Sequence, residues 1–338
     1  MKKQICCRCL TKSKTGYGNF KRCLTLAKEL KKNQISTFFI IDKNQKISNE
    51  LRKNHFHYST IPMSSYAREH IFIKKFMKKN QISTVLLDVR QYGQSLSKKL
   101  KTETNKIILI DDLWSDKIYS DVFINSTNVK SHDDYEIIND NSMILLGTKY
   151  WIIDKNYKIY KKTSYKIPDK TRLKLVISLG GSDPENITSH LLKQLVNRND
   201  MEIKIIIGPM NNNFSKLKNL TKNLDSITLV KSPKNIFEIF SQADLVISNG
   251  GNTLFELITL RIPTIAIPAF THEEKYVKNF SNDECIIKFN KKQKNINKII
   301  NDFKSSRSLQ KNLFTATKNI IDGKGLKRCS DIISKCMK

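Results

Sequence analysis

Short apolar runs alternate with amphipathic stretches along the whole chain. Near-continuous hydrophobicity over a few residues is typical of strands buried on both faces of a parallel sheet. Strands are predicted at Gln4–Leu10, Ser36–Ile41, Thr84–Asp88, Ile107–Asp111 and Val122–Asn125, and at 173–181, 201–209, 226–233, 243–251 and 262–270. Helices are predicted between them, including Phe20–Leu30 and His70–Lys79. The pattern therefore predicts an α/β fold with two doubly wound parallel sheets.

The alternation pauses over residues 151–172, a polar segment rich in Tyr and Lys that contains Pro168. We interpret it as a linker between a Rossmann-like domain at 1–150 and a second one at 173–338. The basic segment from Lys291 onward is expected to form helices that close the second domain. Two such domains are expected to face a cleft, with ligands bound beyond the carboxyl ends of the strands.

The charge of the chain is strongly positive. Its 338 residues hold 60 Lys and Arg against 31 Asp and Glu, a formal net charge of +29. Such a balance suggests nucleic acid or an anionic surface as a partner. However, the lysines are spread among many Asn and Ile residues, and no nucleic-acid module is recognisable. We therefore expect a phosphate-bearing small molecule and no nucleic acid. No segment has the length of a signal peptide or membrane span, so a cytoplasmic protein is expected.

Seven cysteines are spaced irregularly, and three of them lie in "QICCRCL", the predicted first strand. Cys6 and Cys9 form a C-x-x-C pair, but no second pair or His cluster follows with zinc spacing. We interpret these cysteines as small residues of a buried strand. Neither a metal nor a cofactor is expected.

The first of three glycine turns is "TGYGN", where Gly16, Tyr17 and Gly18 precede a helix that begins near Asn19. The free amides and the dipole of such a helix end attract an anion. A dinucleotide fingerprint needs a third glycine where this chain has Lys21, so NAD is not expected. Asn19 is also a good helix N-cap residue.

The second turn is "SLGGSDPENIT", with Gly180, Gly181 and Ser182 as ligand-lining candidates. The alternative is structural: Ser182 or Asp183 caps a helix that begins near Pro184.

The third turn is "SNGGNTLFE". The stretch from Thr253 to Glu256 matches a capping box, in which Glu256 only satisfies a backbone donor. In the functional alternative the same helix end binds a diphosphate and Glu256 accepts from ribose hydroxyls. Three glycine turns, each directly after a predicted strand, together indicate a binding site for a nucleotide sugar. The candidate ligand contacts of this turn are Asn249, Gly250, Gly251, Asn252, Thr253 and Glu256.

Five segments carry a family resemblance: "GYGNFKRCLTLAKEL", "IDDLWSDKIYSDVFIN", "LLGTKYWIIDKNY", "LVISLGGSDPENIT" and "NGGNTLFELITLRIP". With them the chain resembles the nucleotide-sugar hydrolases of pseudaminic acid biosynthesis and their spore-coat polysaccharide relatives. That family is related to the transferase that adds N-acetylglucosamine to the peptidoglycan lipid precursor.

The resemblance implies a GT-B fold and a reaction. Water attacks the anomeric carbon of a UDP-linked 2,4-diacetamido-2,4,6-trideoxy sugar with inversion, and UDP leaves. It further implies that Gly250, Gly251, Thr253 and Glu256 contact UDP, while the first turn and Tyr92 face the sugar.

The chain departs from the family at the residue to which the resemblance assigns the orientation or deprotonation of the attacking water. The family has a histidine in G-x-G-H, and this chain has Asn19, which has no titratable proton near neutral pH. On a later loop, where the family has an Asn-Gln pair, this chain has His272 and Glu273, and the resemblance makes Glu273 a candidate substrate contact. We hypothesise that His272 accepts the proton while Asn19 positions the water. The alternatives are that His272 binds a sugar hydroxyl or the diphosphate, or is an inert surface residue.

Two other functions stay open: a GT-B glycosyltransferase with a sugar or lipid acceptor, and an inactive nucleotide-sugar binder. Asp154 stands where the family tends to have arginine, which leaves the sugar undetermined. The sequence does not reveal the oligomeric state, and a monomer is expected.

Overall fold

The computed structural model describes most of the chain: residues 3–11, 17–62, 68–102, 105–112, 115–169, 171–290 and 295–337. The chain divides into two compact units. The first comprises Met1–Asp154 and Gly323–Lys338, and the second comprises Lys155–Asp322.

The first unit is built on parallel strands. Its strands are β1 (Lys3–Cys9), β2 (Ile35–Ile41), β3 (His57–Thr60), β4 (Thr84–Asp88), β5 (Lys106–Ile110), β6 (Lys117–Ile118), β7 (Val122–Asn125), β8 (Glu136–Ile137) and β9 (Met143–Leu146). Within the described residues, seven of them form one sheet in the order β3-β2-β1-β4-β5-β7-β9, and β6 pairs with β8. Its helices are α1 (Tyr17–Lys32), α2 (Gln45–Lys53), α3 (Glu69–Lys79), α4 (Gly93–Leu100) and the last helix of the chain, α13 (Gly325–Cys336).

The second unit repeats this architecture. Its strands are β10 (Leu173–Ser178), β11 (Met201–Ile207), β12 (Ile227–Lys231), β13 (Leu245–Asn249), β14 (Thr264–Ile267) and β15 (Ile287–Lys288). They form a parallel sheet in the order β12-β11-β10-β13-β14-β15 over the part of the chain described. Its helices are α5 (Tyr157–Tyr160), α6 (Ile187–Leu195), α7 (Phe214–Thr221), α8 (Ile236–Ser241), α9 (Asn252–Leu260), α10 (Thr271–Asn282), α11 (Ile296–Ser305) and α12 (Arg307–Ala316).

The ten predicted strands are confirmed, with shifts of a few residues at their ends. These strands could be predicted from the sequence because strands of a parallel sheet are covered on both faces and are apolar throughout. β3 and β9 were not predicted. Both lie at the edges of their sheet, and their residues are half-buried or exposed apart from Leu145. An edge strand needs less hydrophobicity, so its signal is weaker.

The segment interpreted as a linker is more structured than predicted. Trp151, Ile152 and Ile153 are buried, and Tyr157 is buried in α5, which packs against α8 and α9. The two units meet in the sequence at Asp154 and Lys155. This stretch therefore contributes packed residues to both units.

Helix α13 belongs to the first unit, whereas the sequence analysis assigned the whole C-terminal segment to the second. It packs against α1, where Asn33 Nδ2 donates to Ser330 Oγ over 3.0 Å. Arg328 donates to the carbonyl oxygen of Lys149 over 2.8 Å. The local sequence of an amphipathic helix does not specify which unit it packs in. The place of α13 in the first unit therefore depends on tertiary packing.

Candidate functional site

Asn19 lies within a buried polar cluster of the first unit. Its side chain is in the first turn of α1 and only 6% of the residue is exposed. Its Nδ2 donates to Asp88 Oδ1 over 2.5 Å, and Asp88 is the last residue of β4. Because α1 already begins at Tyr17, Asn19 is inside the helix, and its interpretation as an N-cap is wrong.

Arg22 holds the Asp88 carboxylate from one turn further along α1. Its Nε and NH2 lie 2.9 and 2.8 Å from the two oxygens of Asp88, a bidentate arrangement. Its NH1 donates to Asp112 over 2.7 Å. Burial opposes the charge on Arg22, but Asp112 and Asp88 raise the pKa of its guanidinium well above the usual value. Sequence reasoning missed Asp88 and Arg22, although Arg22 occurs in the segment "GYGNFKRCLTLAKEL" that carried the resemblance.

This cluster decides which way the Asn19 amide points. A carboxylate only accepts hydrogen bonds, so the amide nitrogen must face Asp88. The carbonyl oxygen Oδ1 is then the atom of Asn19 that can accept from a water or a sugar hydroxyl. The chain therefore keeps a polar acceptor, but no titratable group, at this position of α1.

The other candidates of the first unit lie in different surroundings. Tyr17 donates to Glu50 Oε2 over 3.3 Å, and burial and Glu50 raise the pKa of its phenol. Tyr92 accepts from the buried Arg8 over 3.3 Å and belongs to the network of Arg8 with acidic side chains. Gly18 lies in α1 and is half-buried, while Gly16 lies outside the described residues.

In the second unit the second and third glycine turns lie against each other. Gly180 has φ +78°, and a Cβ atom there would lie 3.3 Å from Asn249 Nδ2. A third loop lies against the second turn, since a Cβ at Gly208 would lie 2.4 and 2.5 Å from the carbonyl oxygens of Gly180 and Gly181. These loops follow β10, β13 and β11, which are neighbours in the sheet. The structure thus brings together residues far apart in the sequence, and Gly208 is a member that sequence reasoning missed.

The second turn ends in a structural cap. Helix α6 begins at Ile187, later than predicted, and the buried Asp183 accepts from the amides of Ile187 and Thr188 over 2.9 and 3.1 Å. The first amides of α6 are therefore satisfied by a carboxylate of the chain. Asp183 is confirmed as a capping side chain, while Ser182 is half-buried in the turn beside Gly181.

The helix after the third turn begins differently. Gly251 is the N-cap of α9, with φ −83° and no side chain to accept from the first amides. Thr253 lies inside the helix, so the predicted capping box from Thr253 to Glu256 is wrong. A helix start that has no side-chain cap attracts an anion through its amides and its dipole. Asn252, Thr253 and Glu256 are all half-buried in α9.

Glu273 holds the third turn in place. It is 2% exposed in the first turn of α10. Its Oε2 accepts from the amides of Gly250 and Ala269 over 3.1 and 2.7 Å, and its Oε1 accepts from Asn249 Nδ2 over 3.1 Å. The carboxylate thus accepts from groups of the third turn and from the loop before α10, which makes it a positioning group for the turn.

His272 precedes Glu273 and is half-buried at the start of α10. Its ring stacks on Phe270 with centroids 5.6 Å apart and 14° between the planes, and it meets Tyr276 edge-on at 6.2 Å. Aromatic contacts on two sides fix the orientation of the imidazole. It lies on the same loop that Glu273 ties to the third turn.

Comparisons with known proteins agree with this architecture. Residues 175–333 match the family model of the glycosyltransferase family 28 C-terminal domain. The chain is 23% identical over 334 residues to the spore coat polysaccharide biosynthesis protein SpsG of Bacillus subtilis, covering 94% of each. It is 27% identical over 262 residues to an uncharacterized protein of Methanocaldococcus jannaschii, covering 75% of this chain and 53% of that protein. The chain thus spans about half the length of that archaeal relative.

Solved structures show the same fold. MurG of Acinetobacter baumannii superposes with a TM-score of 0.68 at 11% identity, covering 98% of this chain and 99% of that one. UGT2 of Phytolacca americana, complexed with UDP-2fluoro-glucose and pterostilbene, gives 0.68 at 10% identity, covering 99% and 100%. The predicted GT-B fold with two parallel-sheet units is confirmed. Among the described helices, none combines the length and hydrophobicity needed to cross a bilayer.

Proposed function

We propose that the protein is a nucleotide-sugar enzyme of surface polysaccharide biosynthesis, and that it hydrolyses a UDP-linked diacetamido-trideoxyhexose. The observation that carries the proposal is the third glycine turn. It places the uncapped start of α9 beside the loop after β10, in the half of the chain that matches the glycosyltransferase family 28 model. The biosynthetic role is supported by the similarity to the spore coat polysaccharide protein.

In this proposal the diphosphate binds at the start of α9. Backbone amides and the helix dipole stabilise phosphate there, and a glycine turn lets the ligand approach the backbone closely. The contrast with α6 supports this choice, since Asp183 already accepts from the first amides of that helix. Thr253 and Glu256, in the first turns of α9, are assigned to the nucleotide, with Glu256 accepting from ribose hydroxyls.

The chemical step is an inverting displacement at the anomeric carbon. The oxygen of water forms a bond to that carbon while the bond to the phosphate oxygen breaks, and UDP leaves. We assign the water to Asn19 Oδ1, which Asp88 orients, and the proton to His272. General-base assistance is worth about 10²–10⁴-fold in rate.

The test is to incubate the full chain with UDP-sugars of this class, without any acceptor, and to measure free sugar and UDP. Hydrolysis predicts both products in equal amounts. Turnover only after addition of a sugar or lipid acceptor would show a glycosyltransferase instead. Binding without turnover would show an inactive binder, and a calorimetric titration with UDP that gives no heat and no thermal protection would overturn all three.

A further inference from the structure

Three cysteine thiols converge in the interior of the first unit. Cys7 and Cys9 are alternate residues of β1, so their side chains leave the strand on the same face. Cys23 lies on α1, which packs on that face. The three Sγ atoms all lie within 4.8 Å of one another, and all three residues are fully buried.

The C-x-x-C pattern in the sequence joins a different pair of cysteines, and no metal was expected from it. Cys6 and Cys9 form the C-x-x-C of "QICCRC", but an odd separation on a strand puts them on opposite faces. Cys6 belongs to the apolar cluster that also holds Ile40 and Val85. Only the fold brings Cys7 and Cys9 to Cys23.

We propose that Cys7, Cys9 and Cys23 form a binding site for a thiophilic divalent cation of the zinc and cadmium class, which links β1 to α1. Thiolates are the ligands that select such ions. With metal–sulfur bonds of about 2.3 Å, ligand sulfurs lie about 3.8 Å apart. Since no two of the three sulfurs are more than 4.8 Å apart, their separations need to shorten by at most about 1 Å.

A fourth ligand atom lies next to the cluster. Cys23 Sγ lies 3.5 Å from Asp88 Oδ2, to which it donates. Binding the cation requires Cys23 to release its proton, and that oxygen, which still accepts from Arg22 Nε, then has a lone pair for the metal. Three sulfurs and one oxygen complete a tetrahedral set.

The surroundings suit a divalent ion. Three thiolates, the Asp88 carboxylate, one divalent cation and the Arg22 guanidinium that lies against that carboxylate leave a single net negative charge. A monovalent ion would leave a second buried negative charge, which is costly in a protein interior. Because the thiols are fully buried, the cation is expected to enter while the chain folds.

The experiment is to refold the full chain under reducing, anaerobic conditions with Cd²⁺ alone. The sulfur-to-cadmium absorption band and the bound metal are measured by ultraviolet spectroscopy and native mass spectrometry. One ion per chain and a raised unfolding temperature are expected. Cys7→Ala, Cys9→Ala and Cys23→Ala should each lose the band. Cys6→Ala, equally buried on the other face, and Cys336→Ala, half-exposed at the end of the chain, should keep it.

Cadmium NMR of the wild type, which reports the number of sulfur ligands, decides the question even where a cluster variant does not fold. Three sulfurs support the proposal. A wild type that binds no Cd²⁺, or a band that survives in Cys23→Ala, would overturn it, and the cysteines would then be small residues of a packed core.

Discussion

The carboxylate of Glu273 accepts a hydrogen bond from the Gly250 amide over 3.1 Å. A side chain in α10 thereby fixes the turn that opens α9. The same carboxylate accepts from Ala269 and Asn249, so it links the ends of β13 and β14. The proposed diphosphate site is thus positioned by an acid that the resemblance alone had assigned to the substrate.

Replacing Glu273 is expected to lower stability in a graded way. Glu273→Ala leaves the buried amides of Gly250 and Ala269 without an acceptor, at about 1–3 kcal/mol for each unsatisfied group. Glu273→Gln keeps one acceptor oxygen for both amides and should lose roughly 1 kcal/mol. Chemical denaturation measures the free energy of unfolding. Glu274→Ala, at the exposed neighbour, is the control, and equal stability of Glu273→Ala and Glu274→Ala would contradict the role in positioning.

The third turn should distinguish sharply between its two glycines. A Cβ at Gly250 would lie 2.7 Å from Glu273 Cβ and 2.8 Å from Val277 Cγ2, whereas one at Gly251 would lie no closer than 3.1 Å to Glu273 Oε1. Gly250→Ala should therefore destabilise the protein by about 1–3 kcal/mol through overpacking, and Gly251→Ala by less. Thermal unfolding of both variants measures the difference. The reverse order would show that the turn relaxes around Gly250.

The roles of His272 and Asn19 can be separated by rescue. His272→Ala is expected to lower kcat for UDP release by about 10²–10⁴-fold, the usual contribution of a general base. Asn19→His in that background places an imidazole beside Asp88, a carboxylate that can orient it, and should recover part of the loss. The measurement is the steady-state rate of UDP release from the UDP-sugar that the wild type hydrolyses.

The control for that rescue is Asn19→Ala in the His272→Ala background, which supplies no base and should recover nothing. An unchanged rate in His272→Ala alone removes His272 from the chemistry.

Helix α13 should contribute to the stability of the first unit. A Cβ at Gly325 would lie 2.3 Å from the carbonyl oxygen of Trp151. This oxygen is a backbone atom, so it cannot move aside as the end of a flexible side chain can. Gly325→Ala is expected to cost about 1–3 kcal/mol and to increase hydrogen exchange in α1, on which α13 packs. Lys335→Ala, on the exposed side of the same helix, should change neither. Exchange that increases only in Lys155–Asp322 would contradict the assignment of α13.

Much of the architecture was predictable because its signals are local. Buried parallel strands show as apolar runs, and the buried face of α1 includes the regularly spaced apolar residues Phe20, Cys23 and Leu24. Helix starts were less predictable. Helix α6 begins where Asp183 accepts from the amide of Ile187, and α9 begins after Gly251. The capping patterns at Pro184 and Thr253 therefore predicted the wrong starting residues for these two helices.

The sequence by itself determined the two parallel sheets, the glycine turns at the strand ends and the α/β fold, because each is specified by residues close together in the chain. The tertiary structure decided that Asp88 orients Asn19, that Glu273 holds the third turn, that α13 packs on α1 in the first unit and that Cys23 joins Cys7 and Cys9. These relationships join segments separated by long stretches of chain. Hydrophobic patterning specifies which face of an element is buried, and only packing specifies the side chains that meet there.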